Sequence, residues 1–218
     1  MAIRTFEQWV DSIFDHPIVD PAWYWAADAD TCVEAAEVNV EYLTRLFSES
    51  AGLLKRFDDA QVDQGLNMIV HCVCSDHAFT ILNDDVPWEK RRSCIGSIYD
   101  LYAECFAARC APGLSHCERV ENPLNFVCYM WWDLFPGMGY SEDKSHADED
   151  AAFLAVMERC LTIPHVACIE GALHGLGHWQ EPFPGRVEAI INQFLRGRTD
   201  LPPELTRYAL RARIGNVQ

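Results

Sequence analysis

Glu170, His174 and His178 are the residues of this chain whose types and spacing most invite chemistry. Successive gaps of four residues put all three along one flank of a helix, each step turning by about 40°. Two histidines at that spacing can hold a metal ion, and a carboxylate can supply a third ligand to Zn or Fe. The zinc-protease helix, however, places Glu directly after the first His, and that position is Gly175. A di-iron bundle would repeat Glu-x-x-His on other helices, and the sequence has no second copy. Gly171, Gly175 and Gly177 are interspersed among the three. Each glycine weakens a helix by about 1 kcal/mol relative to Ala, a cost that makes sense where another helix packs very close. The leading reading of the stretch is therefore close packing, with metal binding through Glu170, His174 and His178 as the alternative.

A second group runs His71-Cys72-Val73-Cys74-Ser75-Asp76-His77. On a helix, His71, Cys74 and His77 would lie within about 120° of arc. Cys74 with either histidine could form a metal pair or a thiolate–imidazole dyad. Yet Cys72-x-Cys74 is shorter than the usual zinc knuckle. His77 also falls on an apolar stripe, so the sequence favours a core histidine with a hydrogen-bond partner. The acidic cluster Glu142, Asp143, Asp148, Glu149 and Asp150 lacks the order of a calcium loop and reads as a solvated loop leading into a helix N-terminus. There is no phosphate-binding glycine loop, dinucleotide fingerprint or serine-hydrolase elbow.

The elements that would position these groups are all helical. An opening helix is expected over Phe6–Phe14, ended ahead of Pro17. Residues 1–29 otherwise form an irregular entry segment, in which Trp23, Tyr24 and Trp25 pack the chain onto the first long helix or form an exposed aromatic patch. Asp30 or Thr31 is expected to cap a helix running to Glu49. After a short piece at Ala51–Phe57, Asp58 or Asp59 should cap a helix reaching Leu82, with Val62, Leu66, Ile69, Val73, His77 and Ile81 on its stripe. Pro87 opens the next helix, whose Ile95, Ile98, Tyr99, Tyr102 and Phe106 share one face. Leu124–Phe135 is apolar nearly all round and so should be central and buried, with Trp131 and Trp132 in the core. Residues 138–150 read as a mobile acidic loop ahead of a helix over Ala151–Cys160. Pro164 starts the histidine helix, Pro182–Pro184 turns the chain, and Val187, Ile190, Ile191, Phe194 and Leu195 give the cleanest amphipathic stripe. A last helix follows from Pro203. The chain reads as one all-α domain over 1–218.

Two stretches share an outline. A helix with Gln64-Gly65-Leu66 leads through Val86-Pro87 into a helix with Ile95, Ile98 and Leu101; a helix with Glu170-Gly171-Ala172-Leu173 leads through Phe183-Pro184 into Val187, Ile190, Ile191 and Phe194. On that pattern, strongest over Ile163–Gly197, the chain resembles the HEAT/armadillo-like helical repeats. The resemblance implies a right-handed superhelix of antiparallel helix pairs, a protein-binding surface, and no catalysis. It carries no fixed functional residues. An irregular helical bundle is the alternative architecture.

Composition sets the outer limits. The chain has 218 residues, 50% of them hydrophobic, enough for a substantial core. Its first residues carry no apolar run of the signal-peptide kind, and no segment is a membrane span, so a cytoplasmic location is expected. Ten cysteines, mostly inside apolar helical patterns, read as reduced, buried small hydrophobes; Cys110 and Cys117, flanking one loop, are the pair best placed for a bridge. Net charge is −16. Residues 1–183 hold 11 Lys and Arg against 30 Asp and Glu, whereas residues 184–218 hold 6 against 3. So acidic a body repels nucleic-acid phosphates and anionic lipid. It suits solubility or a basic protein partner. The leading functional reading is a non-catalytic protein that binds another protein; the alternative is the metal-binding helical protein of Glu170, His174 and His178.

Overall fold

A computed structural model describes residues 4–137, 139 and 144–217. The protein is all-α, with no strand among the described residues. In chain order the helices are α1 (Phe6–Phe14), α2 (Ala36–Ser48), α3 (Ser50–Leu53), α4 (Asp59–Val70), α5 (Trp88–Asp100), α6 (Ala107–Arg109), α7 (Leu124–Leu134), α8 (Ala147–Cys160), α9 (Val166–His178), α10 (Pro184–Leu195) and α11 (Pro203–Ala212). A π-helical turn, Leu101–Phe106, joins α5 to α6 in one helical body. No described helix is long and apolar enough to cross a membrane.

Local chemistry explains most of the boundaries. Thr5 caps α1 and Asp58 caps α4, each in a reciprocal capping box with a glutamine three residues on, Gln8 and Gln61. Pro184 and Pro203 stand in the first turns of α10 and α11, where a missing amide hydrogen costs nothing.

Three expectations need correction. The first long helix begins at Ala36, not at Asp30 or Thr31. Asp30 instead accepts from the Cys32 amide at 3.2 Å and pairs with Arg4 at 3.3 Å, which fixes a turn where a cap was expected. The helix after Asp58 stops at Val70 rather than Leu82. His71 goes extended, Ser75 Oγ donates back to the Met68 carbonyl at 2.5 Å, and the chain re-forms only as a 3-10 turn, Ala78–Leu82. Val73, read as core, is consequently exposed. Third, α8 starts at Ala147, and Glu149 and Asp150 are buried in its first turn rather than solvated. Glu149 pairs with buried Arg91 and lies 3.0 Å from His146 Nδ1. Glu142 and Asp143 fall outside the described residues.

The entry segment is partly built in. Trp23 is buried and stacks on His16 at 3.6 Å, while Trp25 stays exposed. Around the core, α7 packs most extensively on α9, and α2 on α5; α9 is also covered by α11 and α8. Trp131, Trp132, Tyr102 and Phe106 form the aromatic centre between these layers. All three glycines of α9 sit at close approaches. A Cβ on Gly171 would run into the Cys128 backbone carbonyl, one on Gly175 would meet Trp132 at 2.6 Å, and one on Gly177 would strike Val217. Cys74, Cys94, Cys105, Cys110, Cys128, Cys160 and Cys168 are buried. Cys110 and Cys117 are unbridged, and the Cys117 thiol donates to the Leu114 carbonyl at 3.6 Å.

Candidate metal centre

Helix α9 is buried almost throughout, because Ala and Gly between its larger residues let α7 and α11 close over it. That burial divides the predicted stripe in two. Glu170 is fully buried and its carboxylate is filled by the loop before α7. The Ser115 and His116 amides each donate to it at 2.9 Å, and His116 Nδ1 lies 2.5 Å from Oε1. Burial raises the Glu170 pKa against these hydrogen bonds, which pull it down. Glu170 is not among the side chains that gather with His174 and His178.

One turn further along, the two histidines do converge. His174 Nε2 and His178 Nε2 are 3.2 Å apart. The carboxylate beside them is Asp133, at the end of α7, with Oδ1 3.5 Å from His178 Nε2. One ligand atom from each of Asp133, His174 and His178 lies within 4.8 Å of the others, and this is the one group of three or more such ligands found among the described residues. Ligands bound at 2.0–2.1 Å to a tetrahedral zinc ion stand about 3.3 Å from one another. The two short separations match that spacing.

The surroundings fix the orientation of His174. Its Nδ1 lies 2.7 Å from the hydroxyl of Tyr208 on α11, and that hydroxyl lies 3.1 Å from the Tyr129 hydroxyl on α7. With Nδ1 engaged, Nε2 is the nitrogen turned toward His178. Burial, with His178 and His116 nearby, pushes the His174 pKa down to about 3, so the ring is neutral over the physiological range, as metal ligation requires. Asp133 and His178 are each more than a third exposed, so the centre opens to solvent on one side.

The sequence grouped the two histidines with Glu170, whereas the carboxylate lying beside them is Asp133. Asp133 carried a signal: it is the one charged residue in an otherwise apolar α7. The other predicted group is not brought together. His71 Nδ1 accepts from the Val73 amide at 3.2 Å, while His77 Nδ1 lies 2.7 Å from Asn39 Oδ1 in a buried network with Thr80. Cys74 is buried, and that burial raises its thiol pKa to about 11. His77 thus has the core role read for it, whereas the helical arc of His71, Cys74 and His77 does not form.

A further thiol group lies between α7 and α9. Cys128 lies with Cys110 and Cys168, and hydrogen bonds from Cys128 and then His165 lower the Cys168 pKa against its burial. Cys168 is fully buried, and its thiol donates to the Tyr102 carbonyl at 3.5 Å.

Comparison of the chain with family models, curated proteins and solved structures gave no match.

Proposed function

We propose that this protein binds one divalent transition-metal ion through His174 Nε2, His178 Nε2 and a carboxylate oxygen of Asp133. The observation that carries the reading is the convergence of these three atoms from two helices at ligand-to-ligand spacing. Two imidazoles and one carboxylate suit zinc or ferrous iron. Three protein ligands with an exposed side leave a coordination position for water or substrate, and an ion there would act as a Lewis acid. Elemental analysis of the purified protein tests the reading. It expects about one equivalent of transition metal, lost in His174→Ala; a metal-free protein that also fails to take up added Zn²⁺ would overturn it.

A protein-binding role is the second reading. Its support is the net charge of −16 together with Ile18, Val19 and Trp25, apolar side chains exposed on the entry segment. It expects a basic polypeptide to associate at low salt, with loss on raising salt and in Trp25→Ser. No association at low salt would contradict it. On this reading α9 and α10 form a degenerate HEAT-like pair, supported by Pro184 at the start of α10 and the buried stripe Val187, Ile190 and Ile191. A reducing cytoplasmic setting suits a chain with ten cysteines, seven of them buried.

A further inference from the structure

At 3.2 Å, two imidazole Nε2 atoms can share one proton or one metal ion. Which of these is favoured depends on where the His174 proton sits. Ligation through Nε2 uses that nitrogen's lone pair, so the ring proton must be on Nδ1, and Nδ1 must have an acceptor. The atom in position is the Tyr208 hydroxyl oxygen, 2.7 Å away. A tyrosine that accepts this bond needs somewhere to send its own hydrogen. The Tyr129 hydroxyl, at 3.1 Å, provides it.

Tyr208 is itself held from the other side. Its ring lies over the His116 ring, with centroids 4.1 Å apart and an angle of 22° between the planes. His116 is fixed by Glu170 through Nδ1 and its own amide. The Tyr208 side chain is buried, so no bulk water competes for its hydroxyl.

We infer that Tyr208, on the last helix, is the positioning residue of the metal centre, setting the His174 tautomer through Nδ1 and passing its own hydrogen to Tyr129. This rests on the metal-binding reading. It adds that α11, which supplies no ligand, controls metal affinity, and that Glu170 is linked to the centre through His116 and Tyr208. Outer partners of this kind typically change metal affinity by about 10–100-fold when removed.

The test is a competition titration of Zn²⁺ against a chromophoric chelator, using the full chain and Tyr208→Phe, Tyr129→Phe and Tyr42→Phe. Tyr42 is the control: its hydroxyl donates to the Arg4 carbonyl at 2.7 Å, away from the centre. Tyr208→Phe should weaken Zn²⁺ binding by about 10–100-fold. Tyr129→Phe should weaken it less, and Tyr42→Phe should leave it unchanged. The visible absorption of the Co²⁺ form should change in Tyr208→Phe and not in Tyr42→Phe, a signature that lost stability alone would not produce. Wild-type affinity and an unaltered Co²⁺ spectrum in Tyr208→Phe would overturn the inference, as would equal losses in Tyr208→Phe and Tyr42→Phe. Failure of the unsubstituted protein to bind either ion would remove the metal reading and this inference together, and is distinguished by that arm alone.

Discussion

Glu170 and His174 stand one turn apart on α9, yet they meet only by way of two other parts of the chain. Glu170 holds His116, the His116 ring lies on Tyr208, and the Tyr208 hydroxyl meets His174 Nδ1 at 2.7 Å. Shared position on a helix thus made them neighbours along the axis without making them ligands of one centre. The difference comes from burial: Glu170 lies where α9 is sealed by the loop before α7, and His178 lies where it reaches solvent.

The close approach that seals α9 is testable at its glycines. Gly171→Ala would drive a methyl group into the Cys128 carbonyl, which belongs to helix backbone and cannot rotate away. Gly175→Ala would do the same against Trp132. Overpacking of this kind costs about 1–3 kcal/mol. Gly96, in the middle of α5, has nothing within 4 Å of a built Cβ, so Gly96→Ala should instead stabilise by up to about 1 kcal/mol. Chemical denaturation of the three variants should give opposite signs.

Much of this architecture could be read from the residues themselves, because its causes were local. The α1 range, the Asp58 cap, the proline-opened α10 and α11, and the buried Trp131 and Trp132 follow from spacing and capping chemistry. The break at His71 was not legible. Val73 continues the apolar period of α4, and only the Ser75-to-Met68 bond reveals that the chain has already turned. Nor was the place of Asp133 beside the histidines: it is distant in sequence from His174, and the approach of α7 to α9 depends on the glycines between them. Tyr129 and Tyr208 were invisible for the same reason.

Asp63 should make the protein less stable as pH rises. Burial lifts its pKa to about 7 from the ordinary 3.8, outweighing the Asn67 bond at 2.9 Å. A raised carboxyl contributes stability that is present below the unfolded-state pKa and lost as pH rises through the folded one. Asp63→Asn should therefore be more stable than wild type at pH 8, by a margin that shrinks toward pH 4. Thermal melts across that range would show it; a margin independent of pH would contradict it.

His77 works in the opposite sense. Burial, with the Arg4 charge as a lesser cause, pushes its pKa down to about 3 from 6.5. The unfolded chain takes up the proton first, so stability is lost as pH falls from about 6.5 toward 3. Asp63 opposes His77 and His174, whose pKa is also held down to about 3, between about pH 4 and 6.5, so wild type should look flatter there than Asp63→Asn. His77→Gln should reduce the acid-side slope, leaving the part due to His174, while lowering stability overall. Denaturant midpoints at pH 4.5 and 7.5 measure both effects.

Thiol reactivity should follow access rather than pKa. Cys32, Cys72 and Cys117 are exposed, while Cys168 is buried although hydrogen bonds from Cys128 and His165 lower its pKa. A nucleophilic thiol needs both thiolate character and an approach path. A disulfide reagent applied to the native protein should give three fast equivalents, with Cys168 reacting only on unfolding. Rapid labelling of Cys168 in the native state would contradict this.

The central claim is that Asp133, and not Glu170, is the carboxylate that joins His174 and His178. Calorimetric titration of Zn²⁺ into the unsubstituted protein, Asp133→Ala and Glu170→Gln tests it most directly. The structure predicts one site, weakened by at least about 100-fold in Asp133→Ala, more than outer-shell changes usually cause, and by far less in Glu170→Gln. Tight binding that survives in Asp133→Ala and is lost in Glu170→Gln would contradict it.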